Sequence, residues 1–129
     1  MGKTIAMQPF ISFSVDQPRE DIIQPDTGWL DCMDFRHLTV DVWLMQITAA
    51  TSTTLPELVL ETSQNPTGPW TEFTTRYTSP TATPTTTTYT DDDATDILRR
   101  YVRWRIDFTS TSFTDLEMTF RIGAIMRGS

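Results

Sequence analysis

The stretch Ile97-Leu-Arg-Arg-Tyr-Val-Arg-Trp-Arg-Ile-Asp-Phe108 decides the fold class of this chain. Every second residue is apolar apart from one arginine: Leu98, Arg100, Val102, Trp104, Ile106 and Phe108. The intervening positions are polar or amphipathic: Arg99, Tyr101, Arg103, Arg105 and Asp107. Successive side chains of a β-strand point to opposite faces, so this period of two predicts a half-buried strand.

A second alternating segment follows after a short polar loop at 109–112. Its apolar positions are Leu116, Met118, Phe120, Ile122, Ala124 and Met126. Because the connecting loop is short, we expect these two segments to pair as an antiparallel hairpin.

Extended segments account for most of the remaining chain. The clear ones are 38–48, 58–63 and 70–77, and a dense turn signal at 64–69 separates the last two. Weaker ones are 10–15, 21–23 and 85–90. The sequence therefore predicts an all-β fold of about seven or eight strands, an antiparallel β-sandwich of jelly-roll-like form.

The N-terminal residues 1–8 have no apolar core of their own. We expect an extended arm there, ahead of one sandwich domain at 9–129. Arms of this kind order on a neighbouring subunit or fray, and Lys3, Ile5 and Met7 are its candidate contacts. The threonine- and proline-rich tract 79–90 predicts an extended loop or an edge strand, and it is a further candidate contact.

The charge balance limits the classes of partner. The formal net charge is −7, which argues against a general nucleic-acid partner, because phosphate neutralisation needs a basic surface. No stretch has the length of a signal peptide core or of a transmembrane helix. We therefore expect synthesis in a cytoplasm and no membrane partner. Cys32 is the single cysteine and is interpreted as a small buried hydrophobic residue.

Catalytic and metal chemistry find little support. His37 and Cys32 lie five positions apart with no third orienting group, so a nucleophilic site is not favoured. Two potential ligands are too few for structural zinc. The acidic cluster Asp91, Asp92, Asp93 and Asp96 is interpreted as a solvated turn, with a calcium site as the alternative. We expect no enzyme activity and no cofactor.

Two features favour binding to a partner. The first is an outward stripe of Arg99, Tyr101, Arg103 and Arg105, since arginine and tyrosine are enriched at interfaces. The alternative is that acids of the same sheet pair with these arginines. The second feature is the set of tryptophans. Trp104 belongs to the core by its pattern, whereas Trp43 lies on the opposite face to Val42, where an exposed ring could stack on a sugar.

Four segments together resemble a known family. They are Leu58-Val-Leu-Glu-Thr-Ser63, Asn65-Pro-Thr-Gly-Pro-Trp70, Arg100-Tyr-Val-Arg-Trp104 and Phe120-Arg-Ile122. Over 38–126 the chain resembles small β-sandwich or jelly-roll proteins of tailed-bacteriophage particles, especially capsid decoration or auxiliary proteins.

This resemblance implies a non-enzymatic structural role in a virion, with the major capsid protein or another virion protein as partner. It implies that the chain stabilises the coat lattice after synthesis in the host cytoplasm. A homo-oligomer is expected, and a trimer is favoured. The alternative function is a carbohydrate-binding module of a phage tail or adhesion apparatus, with a glycan as ligand.

Overall fold

Strands make up nearly all of the regular structure. A computed structural model of the chain describes residues 2–91 and 97–128, without the side chain of residue 74. The strands are β1 (Gly2–Val15), β2 (Ile22–Ile23), β3 (Leu30–Asp31), β4 (His37–Thr54), β5 (Glu57–Ser63), β6 (Thr71–Tyr77), β7 (Thr85–Thr90), β8 (Tyr101–Asp107) and β9 (Ser112–Arg127). A short 3-10 turn covers Asp26–Gly28. The prediction of an all-β fold is confirmed.

The strands form two antiparallel sheets. Sheet 1 has the order β1-β9-β4-β7, and sheet 2 has the order β2-β8-β5-β6, with β3 also paired to β8. Strands β5 and β6 are neighbours in both sequence and space, whereas the first strand pairs with the last. The predicted antiparallel β-sandwich is confirmed.

The core lies between the inner faces of the two sheets. The alternation predicted for β8 and β9 is observed, since Val102, Trp104 and Phe120 are all at most 1% exposed. The indole of Trp104 meets the ring of Phe120 edge-on, with the ring centroids 5.1 Å apart. Buried aromatic rings contribute the largest apolar area per residue, so this pair stabilises the contact between the sheets.

The expected hairpin of β8 and β9 is wrong. Strand β8 lies in sheet 2 and β9 in sheet 1. The chain passes between them in a turn where the Thr111 amide donates to the Phe108 carbonyl, at 3.3 Å, and where Ser110 has a φ of 58°. The alternating pattern is the same for strands that pair side by side and for strands that face each other across a core. Loop length alone did not separate the two.

Residues 2–8, expected as an arm, are extended and pair with β9 of the same chain. The register runs from Gly2 opposite Arg127 to Gln8 opposite Ile122. Bulges around Met7 and beyond Gln8 interrupt it, which explains why the sequence shows no clean period of two there. Strand β1 runs through the expected arm boundary without a break.

The buried amide of Gln24 fastens β1 to the opposite sheet. Its Nε2 donates to the carbonyl oxygens of Met7, at 3.1 Å, and Gly28, at 2.8 Å. Its Oε1 accepts from the Trp104 amide at 3.2 Å. Both amide protons and the carbonyl oxygen are therefore satisfied, so the buried polar group adds a link between β1 and β8 without an unpaired atom.

Candidate interaction surfaces

The outer face of sheet 2 carries a cluster of arginines and acids. Glu61 on β5 lies opposite Arg103 on β8 and is 4% exposed. Its carboxylate accepts from Nε of Arg103 at 2.5 Å and from Nε of Arg105 at 3.1 Å. One buried carboxylate thus holds two guanidinium groups, which is a charge-assisted arrangement of high geometric specificity.

The same cluster continues to the edge of sheet 2. Arg105 also donates to Asp21 at 2.7 Å. Arg76 on β6 donates to Glu72, Glu57 and Asp107. Each of these arginines therefore has carboxylate partners within its own chain.

Asp107 shows how this cluster affects ionisation. Burial of Asp107 favours the neutral acid, but hydrogen bonds from Thr109 and Arg76 more than offset it. Its pKa therefore lies below the ordinary value. The charged form of this carboxylate is part of the folded structure.

The residues of the predicted arginine–tyrosine stripe differ in how far their own chain engages them. For Arg103 and Arg105 the intramolecular alternative is confirmed, because acids of the same sheet pair with both. Arg100, beside the stripe, bonds Asp31 and lies 4.9 Å from the Tyr101 ring centroid. Arg99 is exposed and makes no ion pair with any residue at 2–91 or 97–128. A partner role for the stripe stays a prediction, and Arg99 is its least engaged arginine.

Two tryptophans flank Arg103 on this face. Trp29 meets Trp70 edge-on at 4.9 Å between centroids. The guanidinium carbon of Arg103 lies 3.8 Å from the Trp70 centroid and 5.2 Å from that of Trp29. It covers a ring face that a stacked sugar would need. Because Glu61 holds Arg103 in place, a sugar on that face would have to displace an ion pair.

The outer face of sheet 1 is different in charge. Its four strands contain three acids and three basic residues, namely Asp41, Asp115, Glu117, Lys3, Arg121 and Arg127, while the whole chain carries −7. Cross-strand hydroxyl pairs lie on it, such as Ser12 with Thr119 at 2.8 Å and Thr39 with Thr88 at 2.9 Å. This surface is neutral and polar, in contrast to the acidic chain as a whole.

One aromatic patch, formed by Phe10, Trp43 and Arg121, interrupts the hydroxyl surface. Trp43 on β4 lies opposite Arg121 on β9, and Phe10 projects from the bulged part of β1. The guanidinium carbon is 4.9 Å from the Trp43 centroid and 5.4 Å from that of Phe10. The indole Nε1 donates to the Thr81 carbonyl at 3.1 Å, which fixes the ring. We call these three residues the Arg121 patch.

The sequence prediction missed the Arg121 patch. Phe10, Trp43 and Arg121 lie on three strands that are far apart in the chain. The only usable signal was the position of Trp43 on the face opposite Val42. The patch could not be assembled without the strand order.

The arm residues have separate environments. Lys3 is exposed and Ile5 is half-buried against the core. Met7 is only 3% exposed, which does not fit the predicted partner contact, because the bulged strand turns this residue into the core. A partner role for Lys3 and Ile5 stays a prediction.

Cys32 and His37, the residues considered for nucleophilic chemistry, share no hydrogen bond within residues 2–91 and 97–128. Cys32 is buried, and this burial, with a smaller effect of Asp31, raises its pKa to about 12. Its thiol therefore remains protonated and packs against the Met126 sulfur at 3.6 Å. His37 begins β4 and lies opposite Thr90 and Arg127.

The calcium hypothesis falls mainly outside the described residues. Asp92, Asp93 and Asp96 lie there, while Asp91 bonds Arg36 at 3.2 Å. Within 2–91 and 97–128, no group of three or more His, Cys, Asp or Glu residues is placed to hold a metal ion. In the same part of the chain, no helix is long and apolar enough to cross a membrane.

Comparisons with known proteins give structural similarities only. No protein-family model matches the chain, and no curated protein sequence matches it. One similar solved structure comes from work on Bacillus endospore appendages, described as disulfide-linked pili. It is 14% identical, covers 100% of this chain and 92% of its own, and has a TM-score of 0.45. A carbohydrate-binding module specific for non-crystalline cellulose is also 14% identical, covers 84% and 69%, and has a TM-score of 0.37.

Proposed function

We propose that this chain is a non-enzymatic structural protein of a virus particle, a capsid decoration or auxiliary protein that binds and stabilises the coat lattice. The observation that carries the proposal is the strand order. The first strand pairs with the last, and β1-β9-β4-β7 faces β2-β8-β5-β6. This order supports a jelly roll, an architecture that recurs in viral capsid domains and in lectins. Because one fold serves many functions, the proposal also depends on the chemistry of the surface.

The neutral outer face of sheet 1 supports a protein contact. Charged residues are depleted at the centres of protein interfaces, and the strands of sheet 1 carry only three of the 17 acids and three of the 10 basic residues of the chain. A coat lattice repeats the same contact many times, so modest single contacts add up to tight attachment. A trimer remains our proposal for the free protein.

Immunogold electron microscopy tests the virion assignment directly. Antibody against the purified chain is applied to particles released from the producing cells and separated on a density gradient. We expect gold on the outside of intact particles, with the chain absent from the soluble fraction after washing. Gold confined to soluble material would overturn the proposal. A light-scattering dilution series on the purified chain tests the trimer separately.

Carbohydrate binding is the second candidate function. It is favoured by the position of Trp29, Trp43 and Trp70, which are half-buried outside the core. However, they divide between the two outer faces, and an arginine lies over the rings on each face. Binding to a neutral glycan that is lost in both Trp70→Ala and Trp29→Ala, with the fold retained, would establish this function instead.

A further inference from the structure

We infer that the Arg121 patch is a docking site for an extended segment of a partner protein that presents one carboxylate between apolar side chains. The inference deepens the proposed function, since it rests on a protein being the partner.

Arg121 has no carboxylate partner within the described residues, unlike five other arginines of the chain. Five arginines form ion pairs with carboxylates of the chain: Arg36, Arg76, Arg100, Arg103 and Arg105. The guanidinium of Arg121 makes neither an ion pair nor a hydrogen bond with any residue at 2–91 or 97–128. Its Nε is buried without an acceptor. In a chain with a net charge of −7, this basic group is available to a carboxylate from outside.

The surroundings of this guanidinium favour binding of a partner. Phe10, 51% exposed, and the fixed indole of Trp43 lie beside it, so part of its surface is already shielded from water. An ion pair gains strength when water is excluded from it. Interface hot spots are typically arginine and tryptophan side chains at the centre of a patch. The residues around them contribute little binding energy but exclude water. The surrounding hydroxyl pairs, such as Ser12 with Thr119, supply such a rim.

The charge and the rings of the patch favour a protein segment over a second copy of the chain or an acidic glycan. Two copies of the chain meeting patch to patch would bring two Arg121 side chains together around a twofold axis, which repulsion disfavours. A polymer of acidic sugars would bring many negative charges to a chain whose own net charge is −7. The negative charge of the chain would repel most of them. A protein segment with a single carboxylate and apolar neighbours matches both the guanidinium and the exposed Phe10 ring.

The test is a selection from a random heptapeptide display library on the immobilised full chain. Parallel selections use Arg121→Gln and the matched control Arg127→Gln, which removes another outward arginine of β9. We expect wild-type and Arg127→Gln to enrich peptides with Asp or Glu between apolar residues. For the enriched peptide, Arg121→Gln should weaken affinity by roughly 30-fold or more.

Two further variants keep the result interpretable. Phe10→Ala should also weaken the enriched peptide, and Arg121→Lys should restore only part of its affinity, because lysine lacks the planar fork that bonds a carboxylate at two points. Thermal unfolding of each variant confirms that it is folded. If Arg121→Gln fails to fold, Arg121→Lys and Phe10→Ala carry the test.

Several outcomes would overturn the inference. These are no enriched acidic peptide, an acidic peptide that Arg121→Gln and Arg127→Gln weaken equally, or enrichment that is independent of Arg121. Binding of polygalacturonate that depends on Arg121, with no enriched peptide, would assign the patch to an acidic glycan. If gold labels the particles but the peptide selection fails, this docking site is refuted and the virion role is not. If the peptide selection succeeds but no gold labels the particles, the virion role is refuted and the docking site is not.

Discussion

The outer faces of the two sheets treat their arginines in different ways. On sheet 2, Glu61 holds Arg103 and Arg105, and further acids complete the cluster. On sheet 1, Arg121 has two aromatic rings and no carboxylate within the described chain. Arg103 and Arg105 are engaged by carboxylates of their own chain, whereas Arg121 has only its contacts with the two rings. Apart from the exposed Arg99, the arginines compared on the sheet 2 side are engaged within the chain, whereas Arg121 on sheet 1 is available to a partner.

The strongest test of the structural role of sheet 2 is Glu61→Ala. It removes the shared carboxylate, so the partly buried Arg103 loses its acid partner and Arg105 keeps only Asp21 and the more distant Glu72 and Asp107. We expect the free energy of unfolding to fall by about 3 kcal/mol. Urea denaturation monitored by circular dichroism measures it. A loss below about 0.5 kcal/mol, the range of ordinary surface substitutions, would show that the network does not stabilise this face.

Substitution of one glycine near each face by alanine compares how much space a Cβ has there. Gly68 has a φ of +91°, and a Cβ there would lie 3.0 Å from Cδ1 of Trp70, whereas a Cβ at Gly123 on β9 meets nothing within 4 Å. Gly68→Ala should cost about 1 to 2 kcal/mol and alter the tryptophan fluorescence. Gly123→Ala is the control and should leave the fluorescence unchanged. Equal effects of the two substitutions would contradict the placement of Trp70.

Asp107→Asn tests the charge dependence of sheet 2. The pKa of Asp107 lies below its ordinary value of 3.8, so the unfolded chain binds a proton more readily. The stabilisation is therefore present above pH 3.8 and is lost as the pH falls toward the folded-state pKa. We expect Asp107→Asn to lose about 1 kcal/mol at pH 7 and to show a shallower decline in acid. Parallel pH profiles of the two proteins would be inconsistent with this account.

Arg121→Gln should have the smallest effect on stability. The lost stacking on Phe10 and Trp43 is partly offset because a buried Nε without an acceptor is removed. We expect a change of about 0.5 kcal/mol or less by thermal unfolding. A loss comparable to that of Glu61→Ala would show that Arg121 is structural and would remove the contrast between the faces.

The sequence by itself determined most of the strands and the inner faces of the clearest ones, but it did not predict β3. Period-two alternation predicted the buried sides of β8 and β9, since burial of one face imposes that pattern on the residues themselves. It also placed β5, β6 and β7 within about one residue of their observed bounds. These features depend on local order along the chain, which a single sequence records.

The tertiary structure alone decided which strands are neighbours. Strand β8 crosses to the sheet opposite β9, residues 2–8 pair with the far end of the chain, and Glu61 meets Arg103 across 42 positions. Alternation is identical for every possible pairing, so it does not choose among them. The Arg121 patch depends on the order β1-β9-β4, because only that order brings Phe10, Arg121 and Trp43 onto one face.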